Sequence, residues 1–264
     1  MAMFENKTVL VSGSGRGIGA AIALHFASLG ADVVVNYFRN RQPAEQTAEL
    51  IRQLGRQTLV VKANMGEVEE IEYLFAQVEQ SFHGLDIYIH NAASGYNRPV
   101  MQQRVKGWDW TMNINARSLL FAAQRAAPLM EKRGGGSIVA ISSPGASRVL
   151  PDYSVVGASK AALEAITRYL AVELAAKNIV VNAVSPGMVL TDALQHFEMV
   201  RSDVHLADKA ARITPAGRLV NAQDIADVVA FLCSPQAHMI RGQVIVVDGG
   251  ASLLAPGLEN SPGA

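Results

Sequence analysis

Seven short apolar, β-branched runs punctuate the chain: TVLVS (8–12), DVVVN (32–36), TLVVK (58–62), DIYIH (86–90), SIVAI (137–141), IVVNAV (179–184) and QVIVVD (243–248). Within each run apolar residues occupy successive positions, which predicts strands covered on both faces. The intervening segments carry apolar residues at helical spacing, over 17–29, 43–54, 67–82, about 109–132, 153–176 and 223–233. Strand and helix alternate from end to end. That order predicts an α/β architecture of Rossmann type, a doubly wound parallel sheet of seven strands with helices on both faces.

No Pro/Ser linker, charge block or internal repeat divides the chain, so residues 1–254 are expected to form one domain. The long connections are 91–108, 142–152 and 185–222. In an open parallel sheet such loops gather at the carboxyl edge of the strands, around a ligand crevice. The tail at 255–264 is rich in Pro and Gly and is expected to fray.

Composition narrows the function classes. Half the residues are hydrophobic, ample for a core, and 23 basic residues balance 23 acidic ones. Overall charge therefore gives no attraction to nucleic acid or to an acidic membrane. Cys233 stands alone, so no internal disulfide forms and a reducing compartment fits. The first residues pass directly into an apolar run without the pattern of a secretory signal, and no apolar stretch reaches membrane-spanning length. A cytoplasmic location is the expectation. The six histidines show no metal-ligand spacing.

Candidate chemistry begins at SGSGRGIG (12–19), between the first strand and the first helix. Gly13, Gly17 and Gly19 let the backbone turn tightly and approach a pyrophosphate at the positive end of that helix. The second strand ends in VVVNYFRNR (33–41), without the acid that usually binds the ribose hydroxyl of NAD. Arg39, together with Arg16 in the glycine loop, suits a 2′-phosphate, so NADPH is the expected cofactor.

These features, together with NAA (91–93), MNINARS (112–118), ISS (141–143), the Lys160 helix, SPGMVLT (185–191) and RGQVIVVDGG (241–250), resemble the short-chain dehydrogenase/reductase superfamily. The resemblance implies cofactor contacts from Gly13, Ser14, Arg16, Gly17, Ile18 and Gly19 of the glycine loop. It implies further contacts from Asn64 and Met65 beside the adenine, Asn91 and Ala92 on the adenosine side, and Gly187, Val189 and Thr191 around the nicotinamide. It also implies a homodimer or homotetramer sharing the helices at 109–132 and 153–176.

The spacing of Tyr153 and Lys160 departs from the carbonyl-reducing members, which carry Tyr-x-x-x-Lys. Here the residue four before Lys160 is Val156, and the tyrosine lies seven before it. On a helix both spacings share a face with the lysine, but seven residues rise roughly 10 Å against roughly 6 Å for four. The longer spacing resembles the enoyl-acyl-carrier-protein reductases. NAASGYNRPV (91–100), WDWTMNINA (108–116), GASKAALEAITRYLAVEL (157–174) and TPAGRLV (214–220) resemble the NADPH-dependent enoyl reductase III (FabL) type. That resemblance implies reduction of an enoyl thioester, carried on acyl carrier protein or coenzyme A, in fatty-acid synthesis.

The catalytic candidates are Tyr153 as donor to the thioester oxygen and Lys160 holding the nicotinamide ribose, with Ser143 and Asn115 beside them. Ser143 lies seventeen residues before Lys160, as in carbonyl reducers, and ten before Tyr153, where enoyl reductases often carry a second tyrosine. Its role stays open between the two. Asn115 matches the family's helix-kink asparagine and is read equally as structural. His90, in HNAA where the family usually has NNAG, is read as a satisfied core residue. Tyr96 and Phe197 are candidates for an acyl pocket, and 191–215 for a lid over it. Two other functions remain in play: an NADPH-dependent carbonyl reductase or alcohol dehydrogenase of 3-oxoacyl or hydroxysteroid type, and a catalytically inactive NADP(H)-binding regulator.

Overall fold

The computed structural model describes residues 2–189 and 206–254. Its sheet contains β1 (Thr8–Val11), β2 (Asp32–Tyr37), β3 (Thr58–Lys62), β4 (Ile87–His90), β5 (Gly136–Ile141), β6 (Ile179–Pro186) and β7 (Val244–Val247). All seven are parallel, in the order β3-β2-β1-β4-β5-β6-β7. The helices are α1 (Gly17–Ser28), α2 (Arg41–Gln53), α3 (Val68–Phe82), α4 (Val105–Met112), α5 (Ser118–Glu131), α6 (Ser154–Glu173), α7 (Leu206–Ile213) and α8 (Ala222–Leu232).

The continuous apolar runs are explained by two core layers. Val9, Val11, Val33, Val35, Ile89 and Ile141 point to one side, against α1, α2 and α8. Leu10, Val34, Tyr88, Ile138 and Ala140 point to the other, against α3, α5 and α6. A fully enclosed Val, Leu or Ile is worth about 1.5–3 kcal/mol relative to exposure. That far exceeds the worth of a surface ion pair such as Arg41–Glu45, whose charges stay in water and are screened by it.

Strand order reverses at β1, which has β2 on one side and β4 on the other. The crevice at the carboxyl ends of β1 and β4 is therefore the switch point at which open α/β sheets bind ligands. Two elements depart from the sequence pattern. The helix expected from about residue 109 begins at Val105, and a π-helical turn at Asn113–Arg117 separates α4 from α5. In addition, α7 lies within the long connection expected at 185–222.

Candidate active site

At the switch point, β1 runs into the glycine loop, and the loop is tied to both neighbouring strands. The Ser12 hydroxyl accepts the backbone N–H groups of Asn91 and Ala92, each at 3.0 Å. The Asn91 side-chain amide donates to the carbonyls of Ser12 (2.9 Å) and Gly13 (3.0 Å). Gly13 has φ +65°, and a Cβ there would lie 3.0 Å from the Ala92 Cα. A Cβ on Gly19 would lie 2.5 Å from both the Asn91 Nδ2 and the Gly13 carbonyl oxygen. Helix α1 starts without a side-chain cap and without an acid in its first turn, which suits a phosphate. Arg16, just before it, and Gly17 are exposed, and Ile18 is half-buried.

The Ser14 side chain is committed within the loop. It is fully buried; its hydroxyl donates to the Val11 carbonyl and accepts the Asn36 N–H. Its side chain therefore fixes the loop and has no surface for a ligand. Asn36 is the residue that pattern reading missed. Its Oδ1 accepts the Gly13 N–H at 3.1 Å, while Nδ2 reaches the Ala63 carbonyl at 3.1 Å. This residue, one before the end of β2, is thus committed to holding the loop.

Beyond β2, Arg41 is paired with Glu45 on α2 at 3.0 Å. Arg39 is exposed and lies over the rings of Phe38 and Trp110, 5.8 Å from each centroid. A guanidinium seated on aromatic faces keeps its N–H edges for an oxyanion. Asn64 and Met65, just after β3, are buried; Asn64 Oδ1 accepts the Gly66 N–H. Met65 belongs to the core layer beneath α3, so its side chain is packed on that layer and only its backbone and edge face the crevice expected to take an adenine.

The second cluster lies between the end of β5 and the start of α6. Tyr153 immediately precedes α6, and its phenol oxygen is 3.3 Å from the Ser143 hydroxyl. Its ring packs so closely on Gly145 that a Cβ there would come within 2.5 Å of it. Burial raises the Tyr153 pKa, partly countered by the Ser143 hydrogen bond, so the phenol keeps its proton at neutral pH. Lys160 is 4% exposed and donates from Nζ to the Ile141 carbonyl at 2.6 Å. Burial lowers its pKa to about 8, with Glu164 acting in the opposite direction. Val156 is buried, with a methyl where a Cβ on Gly95 would stand, 2.4 Å away.

Asn115 lies in the π-helical turn, fully buried. Its Oδ1 accepts the Ser94 N–H at 2.8 Å, and Nδ2 donates to the Ser94 carbonyl and the Ser159 hydroxyl, both at 2.9 Å. The side chain thus joins α6 to the loop after β4. The Asn115 carbonyl lies 3.3 Å from His90 Nε2, and the Tyr88 hydroxyl lies 2.8 Å from Nδ1. A carbonyl only accepts, so Nε2 carries the proton and Nδ1 accepts from Tyr88. Burial first, and the Lys160 charge second, lower the His90 pKa to about 3. It is a neutral core residue, and no group of potential metal ligands occurs among the described residues.

A family model described as Enoyl-(Acyl carrier protein) reductase matches residues 13–252, from the glycine loop past β7. The chain belongs to the short-chain dehydrogenase/reductase superfamily. The chain is 38% identical over 252 residues to 1-cyclohexenylcarbonyl-CoA reductase of Streptomyces collinus, covering 96% of this chain and 89% of that protein. It is 37% identical to a hydroxynaphthalene reductase-like protein of Metarhizium anisopliae, covering 93% and 94% respectively. Among solved structures, 7α-hydroxysteroid dehydrogenase in complex with NADH and 7-oxo glycochenodeoxycholic acid superposes with a TM-score of 0.87, at 34% identity and 94% coverage of each chain.

As a short-chain dehydrogenase/reductase the protein is an oxidoreductase using a nicotinamide cofactor, and its own residues fit that group. The crevice floor at Gly13 and Gly19 has no room for a Cβ, and the adjoining helix end is uncapped. Gly187 donates its N–H to the Val247 carbonyl at 2.8 Å, and Val189 bridges to Val220. Thr191 and Phe197 lie outside the described residues, as does 191–205 of the expected lid; the described remainder, 206–215, contains α7. Tyr96 is 42% exposed, with its hydroxyl against Gly107 and Arg98 over its ring at 4.8 Å. No helix among the described residues is long and apolar enough to cross a membrane.

Proposed function

We propose that the protein is an NADPH-dependent enoyl-thioester reductase of the enoyl-acyl-carrier-protein reductase type. The observation that carries this reading is the register of the phenol. The position four before Lys160 holds a buried valine packed on Gly95, and the phenol beside Ser143 comes from Tyr153, seven before the lysine. In carbonyl reduction the hydride lands on the carbon whose oxygen is protonated. In enoyl reduction it lands on C3, while charge builds on the more distant thioester oxygen. A donor displaced along the crevice suits the second geometry. The family-model description supports it, as does the Streptomyces relative, whose name denotes a thioester conjugated to a ring double bond.

The glycine loop and the start of α1 would hold NADPH at the switch point, where it would supply a hydride for C3. Tyr153, kept protonated by burial, donates a hydrogen bond to the oxygen on which enolate charge develops, and C2 then takes a proton drawn from solvent as the enolate collapses to the saturated thioester. Lys160 would hold the ribose hydroxyls and lends positive charge to the site. Ser143 steadies the phenol.

Carbonyl reduction is the second reading, favoured by that Ser143–Tyr153 hydrogen bond, since such a pair also serves a ketone oxygen. Following NADPH oxidation with crotonyl-CoA and, separately, acetoacetyl-CoA decides between them. Turnover of the enoyl substrate is expected. Turnover of the oxo substrate alone sinks the proposal, and binding without turnover of either supports a regulator.

NADPH over NADH rests on Arg39 and on a β2 end without an acid. A hydrogen bond to a charged group is worth about 1.5–3 kcal/mol, roughly a 10- to 100-fold change in affinity. Arg39→Ala is therefore expected to weaken NADPH by that factor and NADH by less than about twofold in fluorescence titrations. Equal losses overturn the assignment. The same reading takes the protein as a cytoplasmic homodimer or homotetramer sharing α5 and α6, supported by the exposed Leu120, Tyr169 and Val172 on those helices.

A further inference from the structure

Glu164 takes no part in the chemistry above. It stands one turn after Lys160 on α6, half-buried, and its Oε1 accepts the Ser142 hydroxyl at 2.6 Å. Lys160 reaches the carbonyl of Ile141, the residue before Ser142. Two side chains one turn apart on α6 thus grip consecutive residues at the end of β5. The next residue is Ser143, which meets the phenol.

An ammonium taken out of water is costly unless an opposite charge lies near. The elements packed against α6 supply none. From β4 comes His90, which burial keeps neutral. The ends of β5 and β6 carry no ionisable side chain, and neither does the short turn at Pro144–Ala146. Arg148, after that turn, donates to the Ser252 carbonyl. In the π-helical turn Arg117 donates to the Gly66 carbonyl. Lys106 and Asp109 on α4 are exposed, while Arg125 and Glu131 on α5 pair with Glu72 and Lys177. Tyr153, at the head of α6, keeps its proton.

We infer that Glu164 is a positioning residue of the cofactor site: anchored by Ser142, its carboxylate keeps Lys160 charged and holds the Ser142–Ser143 corner against α6. The electrostatic direction agrees, because Glu164 opposes the fall that burial imposes on Lys160. This inference rests on Lys160 holding the cofactor and is independent of which substrate is reduced.

The test is therefore made on cofactor binding, without any substrate. Dissociation constants for NADPH are measured by fluorescence from about pH 6 to about pH 10, spanning the titration of a depressed lysine. In the native protein affinity should fall as pH rises through about 8, because the cation exists below its pKa and is lost above it. Lys160→Met should remove that alkaline limb; a retained limb overturns the inference. Glu164→Gln keeps an acceptor for Ser142 but loses the charge, and should move the midpoint about one pH unit lower. Ser142→Ala, which releases the carboxylate, should move it in the same direction by less. A Glu164→Gln midpoint that coincides with the native one overturns the inference, whatever the melting temperature does. If that variant does not fold, Ser142→Ala decides: a downward shift supports the anchor, and an unmoved midpoint refutes it.

Discussion

Tyr153→Phe is expected to lower turnover of an enoyl thioester by about 10²–10³-fold, the effect typical of removing one donor from a developing oxyanion. Affinity for NADPH should change by less than about twofold, because the phosphate-binding helix end and Arg39 are untouched. The substitution removes one oxygen and leaves the ring packing on Gly145 intact, so the melting temperature is a control and should barely move. Burial holds the phenol in its protonated form, so the native enzyme has its donor at neutral pH and above. Lys160, lowered to about 8, loses its charge first as pH rises. Turnover in the native protein should accordingly decline above about pH 8, ahead of phenol ionisation. Rate constants from stopped-flow NADPH oxidation with crotonyl-CoA provide the measurement. A Tyr153→Phe variant that retains full turnover would remove Tyr153 from the chemistry and leave the valine at 156 as the mark of a lost tyrosine.

The sheet was legible because its signal is local. The runs are apolar on successive positions, and the two core layers account for the central strands directly. On the edge strand β7, Val246 is exposed despite the same pattern. The glycine loop and the lysine helix were legible for the same reason: residue type and spacing lie within a few positions of one another. The parts that escaped depend on contacts between distant segments. Asn36 is recognisable as a loop staple only once β2 is placed beside β1, 23 residues from Gly13. Nothing within SGSGRGIG says that Ser14 turns inward while Arg16 stays exposed. Glu164 pairs with Ser142, 22 residues away, through a helix crossing that no periodicity reveals. By contrast, α7 had a readable pattern, with Leu206, Ala210 and Ile213 at helical spacing and Pro215 just beyond its end. The π-helical turn did not, since it answers to the Asn115–Ser94 hydrogen bonds and not to the hydrophobic period.

Gly19→Ala should abolish useful cofactor binding, with affinity falling by about 100-fold or more, the scale of about 2.7 kcal/mol. One added methyl would stand 2.5 Å from both the Asn91 Nδ2 and the Gly13 carbonyl oxygen, and 3.0 Å from the Ser14 Cα. Two of those three atoms are backbone, so no rotamer change relieves the contact. Either the Asn91 amide gives up its bonds to the Ser12 and Gly13 carbonyls, or α1 lifts away from the loop. Overpacking of this kind costs about 1–3 kcal/mol, and each lost hydrogen bond adds about 1 kcal/mol. For a chain of this size, that combined cost corresponds to a fall in melting temperature of roughly 4–12 °C. Gly134→Ala is the matched control. Gly134 has φ +84° with nothing within 4 Å of where a methyl would stand, and it precedes β5 at the opposite edge of the sheet. It should lose stability through backbone strain alone and keep its cofactor affinity. Calorimetry with fluorescence titration separates the two. If Gly19→Ala lost stability but bound NADPH as tightly as Gly134→Ala does, the loop would be an ordinary strand-to-helix turn and the phosphate cradle would have to be sought elsewhere.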